Sequence, residues 1–201
     1  MKKYCKLLRV KHYIKNILIF FPCIFSGRIF EINTLKISFI SFLIFCAVSS
    51  TVYIINDIKD VEKDRLHPKK CKRPIASGEV SIKQAVVLAT VCFTLAIVGQ
   101  LFLRIDGHIN IAGLLTVLAY FIINVLYSVC GWKNIPLVDV AILTSGFILR
   151  VFFGAVNTDI AISSWLYLVI FCGALFMGFG KRKNELKICG NNTRKVLERY
   201  S

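Results

Sequence analysis

Acidic residues are scarce in this 201-residue chain, where 11 Asp and Glu stand against 26 Lys and Arg, a formal net charge of +15. Cysteine patterns are lacking as well. The eight Cys (5, 23, 46, 71, 92, 130, 172 and 189) are scattered, with no C-x-x-C pair and no Cys/His spacing suited to a metal. That argues against a disulfide framework or a zinc site; most of them lie in apolar runs, where Cys acts as a small hydrophobe. No small-x-small cleavage site follows the first apolar run, so Lys2, Lys3, Lys6 and Arg9 precede an uncleaved helix rather than a signal peptide. The basic excess carries no nucleic-acid-binding motif, and attraction to anionic headgroups accounts for it. No internal repeat of the kind transporters show is present.

What is present is hydrocarbon. Apolar residues make up 56% of the chain and its mean hydropathy is +0.67. That excludes disorder, and with so much charge it excludes an ordinary soluble domain. Six stretches are long enough to cross a bilayer: Ile14–Phe30, Leu35–Ile55, Ile82–Leu103, Ile109–Val129, Leu137–Val156 and Ile160–Phe179. Barrel-type alternation is absent, so lipid permits only helices. The predicted fold is all-α, a polytopic transmembrane helical bundle forming one domain over residues 1–201. The N-terminus, the segment between the second and third spans, the turn between the fourth and fifth, and the C-terminal tail together carry 22 of the 26 Lys and Arg. By the positive-inside rule these segments, and both termini, are expected on the cytoplasmic face of the plasma membrane.

Chemistry concentrates at the end of the second span. Asn56, Asp60 and Asp64 recur at i, i+4 and i+8, and Asp57 lies three residues before Asp60. If the helix continues there, these side chains share a face. Carboxylates so crowded repel unless a cation lies between them, and an all-oxygen set suits Mg²⁺ completed by substrate phosphates. The basic run after it, including Lys72 and Arg73, offers charge for phosphate oxygens. Pro68 and Pro74 break the helix, folding residues 57–81 into a loop over the site. The competing reading is a solvated loop that only sets topology.

The run Asn56-Asp57-x-x-Asp60-x-x-x-Asp64-Arg65-x-His67-Pro68, continuing to Arg73-Pro74-Ile-Ala-Ser-Gly78, resembles the first aspartate-rich motif of the UbiA superfamily of intramembrane prenyltransferases. It is most similar to the decaprenyl-phosphate phosphoribosyltransferase branch. Tyr13-Ile-Lys15-Asn16, Leu137-Val-Asp139 through Arg150, and Gly180-Lys181-Arg182-x-x-Glu185-Leu186 follow in matching order. The resemblance implies Mg²⁺, with Asp57, Asp60 and Asp64 as its ligands, phosphoribosyl pyrophosphate as donor and a polyprenyl phosphate as acceptor, in cell-envelope precursor synthesis. It implies phosphate contacts from Lys15, Lys181 and Arg182, with Asn16 and Asn56 in the substrate site. A second aspartate pair, usual in aromatic prenyltransferases of the superfamily, is missing: only Asp139 is there, with Lys133, Ile135 and Leu143 at the neighbouring positions. Prenyl transfer from a prenyl diphosphate is the alternative activity. Members have about nine spans, all helical as lipid demands, so six mark a C-terminally shortened member, an inactive remnant being the rival reading.

Asp139 and Arg150 both fall within the fifth span, where charge is costly and usually functional or paired. Asp139 could bind metal-bound water or ribose hydroxyls, and Arg150, three turns deeper, could bind phosphate. Alternatively the two form a structural ion pair, or Arg150 snorkels. Tyr127 and Trp132 read as an interfacial aromatic belt.

Overall fold

A computed structural model describes residues 2–105, 107–129, 135 and 137–189; Trp132 and Lys133 lie outside the described residues. The chain begins with a short helix α1 (Lys2–Leu7), followed by a 3₁₀ segment, Val10–Phe20, and helix α2 (Phe21–Phe25). Then come α3 (Ile32–Lys59), α4 (Val61–Leu66), α5 (Ile82–Phe102), α6 (Ile111–Val129), α7 (Val138–Thr158) and α8 (Ser164–Cys189). Among the described residues the only strands are Arg104–Ile105 and His108–Ile109, an antiparallel pair turning at Gly107, whose φ is +80°.

Four helices, α3, α5, α6 and α7, are long and apolar enough to cross a membrane, and α8 contributes a shorter apolar stretch, Ser164–Gly180. The first expected span differs. Instead of one α-helix over Ile14–Phe30, the chain runs as an 11-residue 3₁₀ segment into the five-residue α2, which carries Pro22 in its first turn. The larger 3₁₀ rise gives these two pieces together about 30 Å, still the thickness of a hydrocarbon core.

Local chemistry sets the helix ends. At α3 the Thr34 hydroxyl and the Arg28 guanidinium both bond Glu31 Oε2, holding that carboxyl below its usual range. The resulting anion suits the positive end of the helix. Helix α5 opens with a capping box: Ser81 Oγ accepts from the Gln84 N–H at 3.2 Å, and Gln84 Oε1 accepts from the Ser81 N–H at 3.2 Å. Asn110 and Ser163 accept from Gly113 N–H and Leu166 N–H at the starts of α6 and α8.

The core lies where α3 meets α5, α6, α7 and the 3₁₀ segment. Ile19, Ile44, Phe45, Val48, Val117, Tyr120 and Phe153 are buried together, with Phe45 packed on Tyr120 and Phe153 at 4.6 and 5.3 Å between ring centroids. Small residues permit close approach, as between membrane helices: a Cβ on Gly154 would fall 2.1 Å from the Ile19 carbonyl oxygen. Apolar side chains that stay exposed, such as Val87, Leu95 and Phe102 on α5 and Trp165 and Phe176 on α8, are where lipid replaces protein contact. A second cluster of Leu7, Ile54, Ile75, Val80, Ala85 and Ala89 ties α1 and the loop before α5 to the end of α3.

Candidate metal and phosphate site

At the end of α3 the helix does not continue unbroken through the acidic motif. It stops at Lys59, pivots at Asp60 (φ −90°, ψ 8°), and resumes as α4. The Asp60 and Asp64 N–H groups still bond the carbonyls of Asn56 and Asp60, at 3.0 and 2.8 Å, so the helical register survives the break. Asp57 and Asp64, two turns apart, therefore keep one face. Both are buried, 3% and 2% exposed.

What brings them together is Arg73. His67 is extended, as a residue before proline must be, and ends α4. A 3₁₀ turn, Lys70–Lys72, then reverses the chain, and Ile75 and Val80 anchor it in the apolar cluster with Leu7 and Ile54. Arg73 Nη1 thereby lies 3.0 Å from Asp57 Oδ1 and 2.6 Å from Asp64 Oδ2. Arg9 completes the group: its Nη2 donates to Asp57 Oδ1 at 2.5 Å and its guanidinium stacks 4.9 Å from the Tyr53 ring centre. In the sequence Arg9 is one of several basic residues flanking the first span, and one sequence cannot reveal a contact spanning 48 positions.

The expected three-carboxylate convergence takes a different form. Among the described residues no three His, Cys, Asp or Glu side chains gather as a metal group; Arg73 clamps two of the three aspartates, Asp57 and Asp64. The two buried carboxylates nonetheless direct oxygens at one cationic point, the position Arg73 Nη1 holds. Hard oxygen donors converging on a positive charge are the donor set Mg²⁺ takes, so Asp57 and Asp64 fit such an ion.

The other sequence candidates distribute along the bundle. Asn56 Oδ1 accepts from Ser128 Oγ at 3.0 Å, joining α3 to the last turn of α6. The preceding residue on α6, Tyr127, donates its hydroxyl to Asp139 Oδ1 at 2.5 Å. Tyr127 is thus a site neighbour rather than simply a member of an aromatic belt, and Asp139 is fully buried at the start of α7. Lys72 is exposed on the 3₁₀ turn, and Lys15 is exposed with its ammonium 5.9 Å from the Phe147 ring. Lys181 and Arg182 lie on α8, with side chains outside the described set.

Arg150 does not pair with Asp139, eleven residues and about 16 Å away along α7. It is 5% exposed, and its Nε and Nη2 donate to Asn16 Oδ1 at 2.8 Å and Tyr120 Oη at 3.1 Å. Nη1 bonds the Gly146 carbonyl, and the rings of Phe45, Tyr120 and Phe147 surround the guanidinium. This caged cation joins the 3₁₀ segment to α6 and α7, with Asn16 as its partner. Aromatic faces and neutral acceptors make such burial tolerable.

An unforeseen amide cluster lies at the opposite end. Asn157 Oδ1 accepts from Gln100 Nε2 at 3.0 Å and Asn110 Nδ2 at 2.7 Å, while its Nδ2 donates to Ser41 Oγ at 2.9 Å. Four helices meet there. Amides within apolar helices were the available signal, since in hydrocarbon such groups must find each other.

Comparison with known proteins agrees with this architecture. The UbiA prenyltransferase family matches residues 20–186. Decaprenyl-phosphate phosphoribosyltransferase of Corynebacterium glutamicum is 38% identical over 98% of this chain and 59% of its own length. The enzyme of the same name from Mycolicibacterium smegmatis is 36% identical over 98% of this chain and 62% of its own. The chain thus spans about three fifths of these curated relatives. A solved UbiA homolog from Archaeoglobus fulgidus, bound to GPP and Mg²⁺, superposes with a TM-score of 0.75 at 20% identity, covering 98% of this chain and 66% of that one. The helical order, the aspartate-rich end of α3 and these matches together place the chain in the UbiA prenyltransferase family.

Proposed function

We propose that this chain carries the donor-binding half of a membrane transferase that moves 5-phosphoribose from phosphoribosyl pyrophosphate to a polyprenyl phosphate. The observation that carries the reading is the convergence of Asp57 and Asp64 on one cationic point beneath a basic loop, in a chain whose relatives bear the phosphoribosyltransferase name. In this reading Asp57 and Asp64 hold Mg²⁺, and Asp60, at the pivot between them, reaches it directly or through water. Bound Mg²⁺ neutralises charge that develops on a diphosphate leaving group.

Asp57 and Asp64 fix the donor's diphosphate against the end of α3, and Lys72 and Arg73 hold its oxygens from the loop. Lys15, Lys181 and Arg182 supply further phosphate contacts on this face. A phosphate oxygen of the lipid attacks C1 of the ribose. The C1–O bond to diphosphate breaks, its electron pair leaves with the diphosphate, and a new C1–O bond joins sugar to lipid phosphate. Asp139, oriented by Tyr127, is placed to accept ribose hydroxyls. An apolar groove of about 360 Å³ between α7 and α8 starts at Leu137 and Val140, beside Asp139, and suits an isoprenoid chain. The α3 end faces the cytoplasm, where the basic segments belong and where the soluble donor is found.

The test is transfer of label from ¹⁴C-ribose-labelled phosphoribosyl pyrophosphate into a polyprenyl phosphate in proteoliposomes. Mg²⁺-dependent lipid label supports the reading. Turnover of a prenyl diphosphate with no use of phosphoribosyl pyrophosphate contradicts it.

A further inference from the structure

We propose that Arg150 is a positioning residue that acts through Asn16: it locks the first span in its 3₁₀ register and so sets where Lys15 stands. The phosphate contact given to Lys15 rests on the phosphoribosyl-transfer reading, whereas the lock stands apart from it.

An 11-residue 3₁₀ segment needs a cause, because runs beyond about four residues are uncommon and their hydrogen bonds are poorer than those of an α-helix. The cause is a match of repeats. Three 3₁₀ residues make one turn and rise about 6 Å, the same advance as four α-helical residues. Tyr13, Asn16 and Ile19, three apart, therefore meet partners that stand four apart. On α3, Ser50 Oγ lies 2.8 Å from Tyr13 Oη, and Cys46 Sγ accepts from Asn16 Nδ2 at 3.1 Å. On α7, Arg150 Nε donates to Asn16 Oδ1 at 2.8 Å, and Gly154 takes the Ile19 carbonyl. Asn16 and Ile19 are accordingly buried, while Ile14, Lys15 and Ile17 are exposed. As an α-helix the segment would turn Tyr13 and Ile19 about 120° apart and lose the match.

Arg150 is the partner that cannot follow if the segment turns. Its Nη2 is held by Tyr120 Oη and its Nη1 by the Gly146 carbonyl, which leaves Nε for Asn16 from one position. Released, the 11 residues would shorten by about 5 Å as an α-helix, and Lys15, four residues from the Ile19 anchor, would swing through about 80°. Lys15 now stands on the α7 side of the segment: its Nζ and the Arg150 guanidinium both lie 5.9 Å from the Phe147 ring centre. The swing takes its ammonium off that ring. Because Lys15 lies in a span rather than on a loop, the phosphate within its reach is the lipid's.

Two readouts test this in the full chain, reconstituted in nanodiscs. Nitroxide-bearing unnatural residues at Val10 and Ile24, 44% and 42% exposed, report the length of the segment by pulsed electron paramagnetic resonance. Affinity for polyprenyl phosphate against uncharged polyprenol reports the phosphate contact. Asn16→Leu is similar in volume and unable to accept from Arg150. It is expected to shorten the distance by about 5 Å. It should also weaken polyprenyl phosphate roughly tenfold and leave polyprenol within about twofold. Arg150→Met should reproduce both effects, and Asn16→Asp, which keeps the acceptor, should hold both readouts at wild type. A wild-type distance in Asn16→Leu overturns the lock. A shortened distance with unchanged lipid affinity overturns the placing of Lys15, as does equal weakening of polyprenyl phosphate and polyprenol. A wild-type chain that binds polyprenyl phosphate no better than polyprenol overturns the phosphate contact of Lys15, while the distance still decides the lock.

Discussion

Arg73 Nη1 lies 2.6 Å from Asp64 Oδ2, and this contact closes the loop after α4 back onto the helix it left. Asp64 is almost fully buried while the Arg73 side chain is 25% exposed, so the pair sits between a dry ion pair and a surface one. Arg73→Gln leaves Asp64 without its charged partner and weakens Asp57. The expected cost is about 2–3 kcal/mol, reduced from the full buried-pair penalty by solvent access to the arginine. Hydrogen exchange should accelerate across residues 60–80 and stay unchanged in α6 and α7. Unchanged protection of the loop would refute the clamp.

Gly154 on α7 packs directly against the backbone of the 3₁₀ segment, its added Cβ falling 2.1 Å from the Ile19 carbonyl oxygen. Backbone cannot rotate away as a side chain can. Gly154→Ala should therefore destabilise the bundle by at least about 2 kcal/mol, read as a lower midpoint of thermal unfolding in detergent. Gly173→Ala is the control, with nothing within 4 Å of its Cβ, and should be neutral or slightly stabilising through helix propensity.

The amide cluster makes a coupling prediction. Gln100→Leu removes two of the bonds Asn157 makes and leaves those to Asn110 and Ser41, whereas Asn157→Leu removes both amide partners of Gln100 and the donor to Ser41, Asn110 keeping the Val156 carbonyl. Each should cost about 1–3 kcal/mol. The double variant should cost less than the sum, because the second substitution removes a group already unpaired. Additive losses in chemical unfolding would show that the two amides act independently.

How far the sequence could be read depends on how local each cause is. Hydrocarbon length is local, so α3, α5, α6 and α7 were legible from apolar runs alone. The first span was legible as apolar but not as 3₁₀, since its conformation is tied to packing of Ile19 on Gly154, residues far apart in the chain. Asp57 and Asp64 were legible from helical spacing. The pivot at Asp60 was not, because it accompanies a loop whose anchors, Ile75 and Val80, lie beyond the motif. Arg9 and Tyr127 resembled topology and belt residues in isolation, and only the folded chain seats them on Asp57 and Asp139. Arg150 was legible as a costly buried charge. Its neutral partners, Asn16 and Tyr120, come from helices that sequence order does not join.

If Asp57 and Asp64 jointly hold a divalent cation with its diphosphate, Mn²⁺–pyrophosphate binding by the two single variants measures it most directly. Asp57→Asn and Asp64→Asn keep side-chain volume and remove one charge each, leaving the apolar spans intact by circular dichroism. Each is expected to weaken Mn²⁺–pyrophosphate binding by roughly tenfold or more, the scale of a lost charge-assisted contact, while Glu62→Gln, at an exposed position on α4, leaves it unchanged. Wild-type affinity in both aspartate variants would show that Asp57 and Asp64 do not hold the cation.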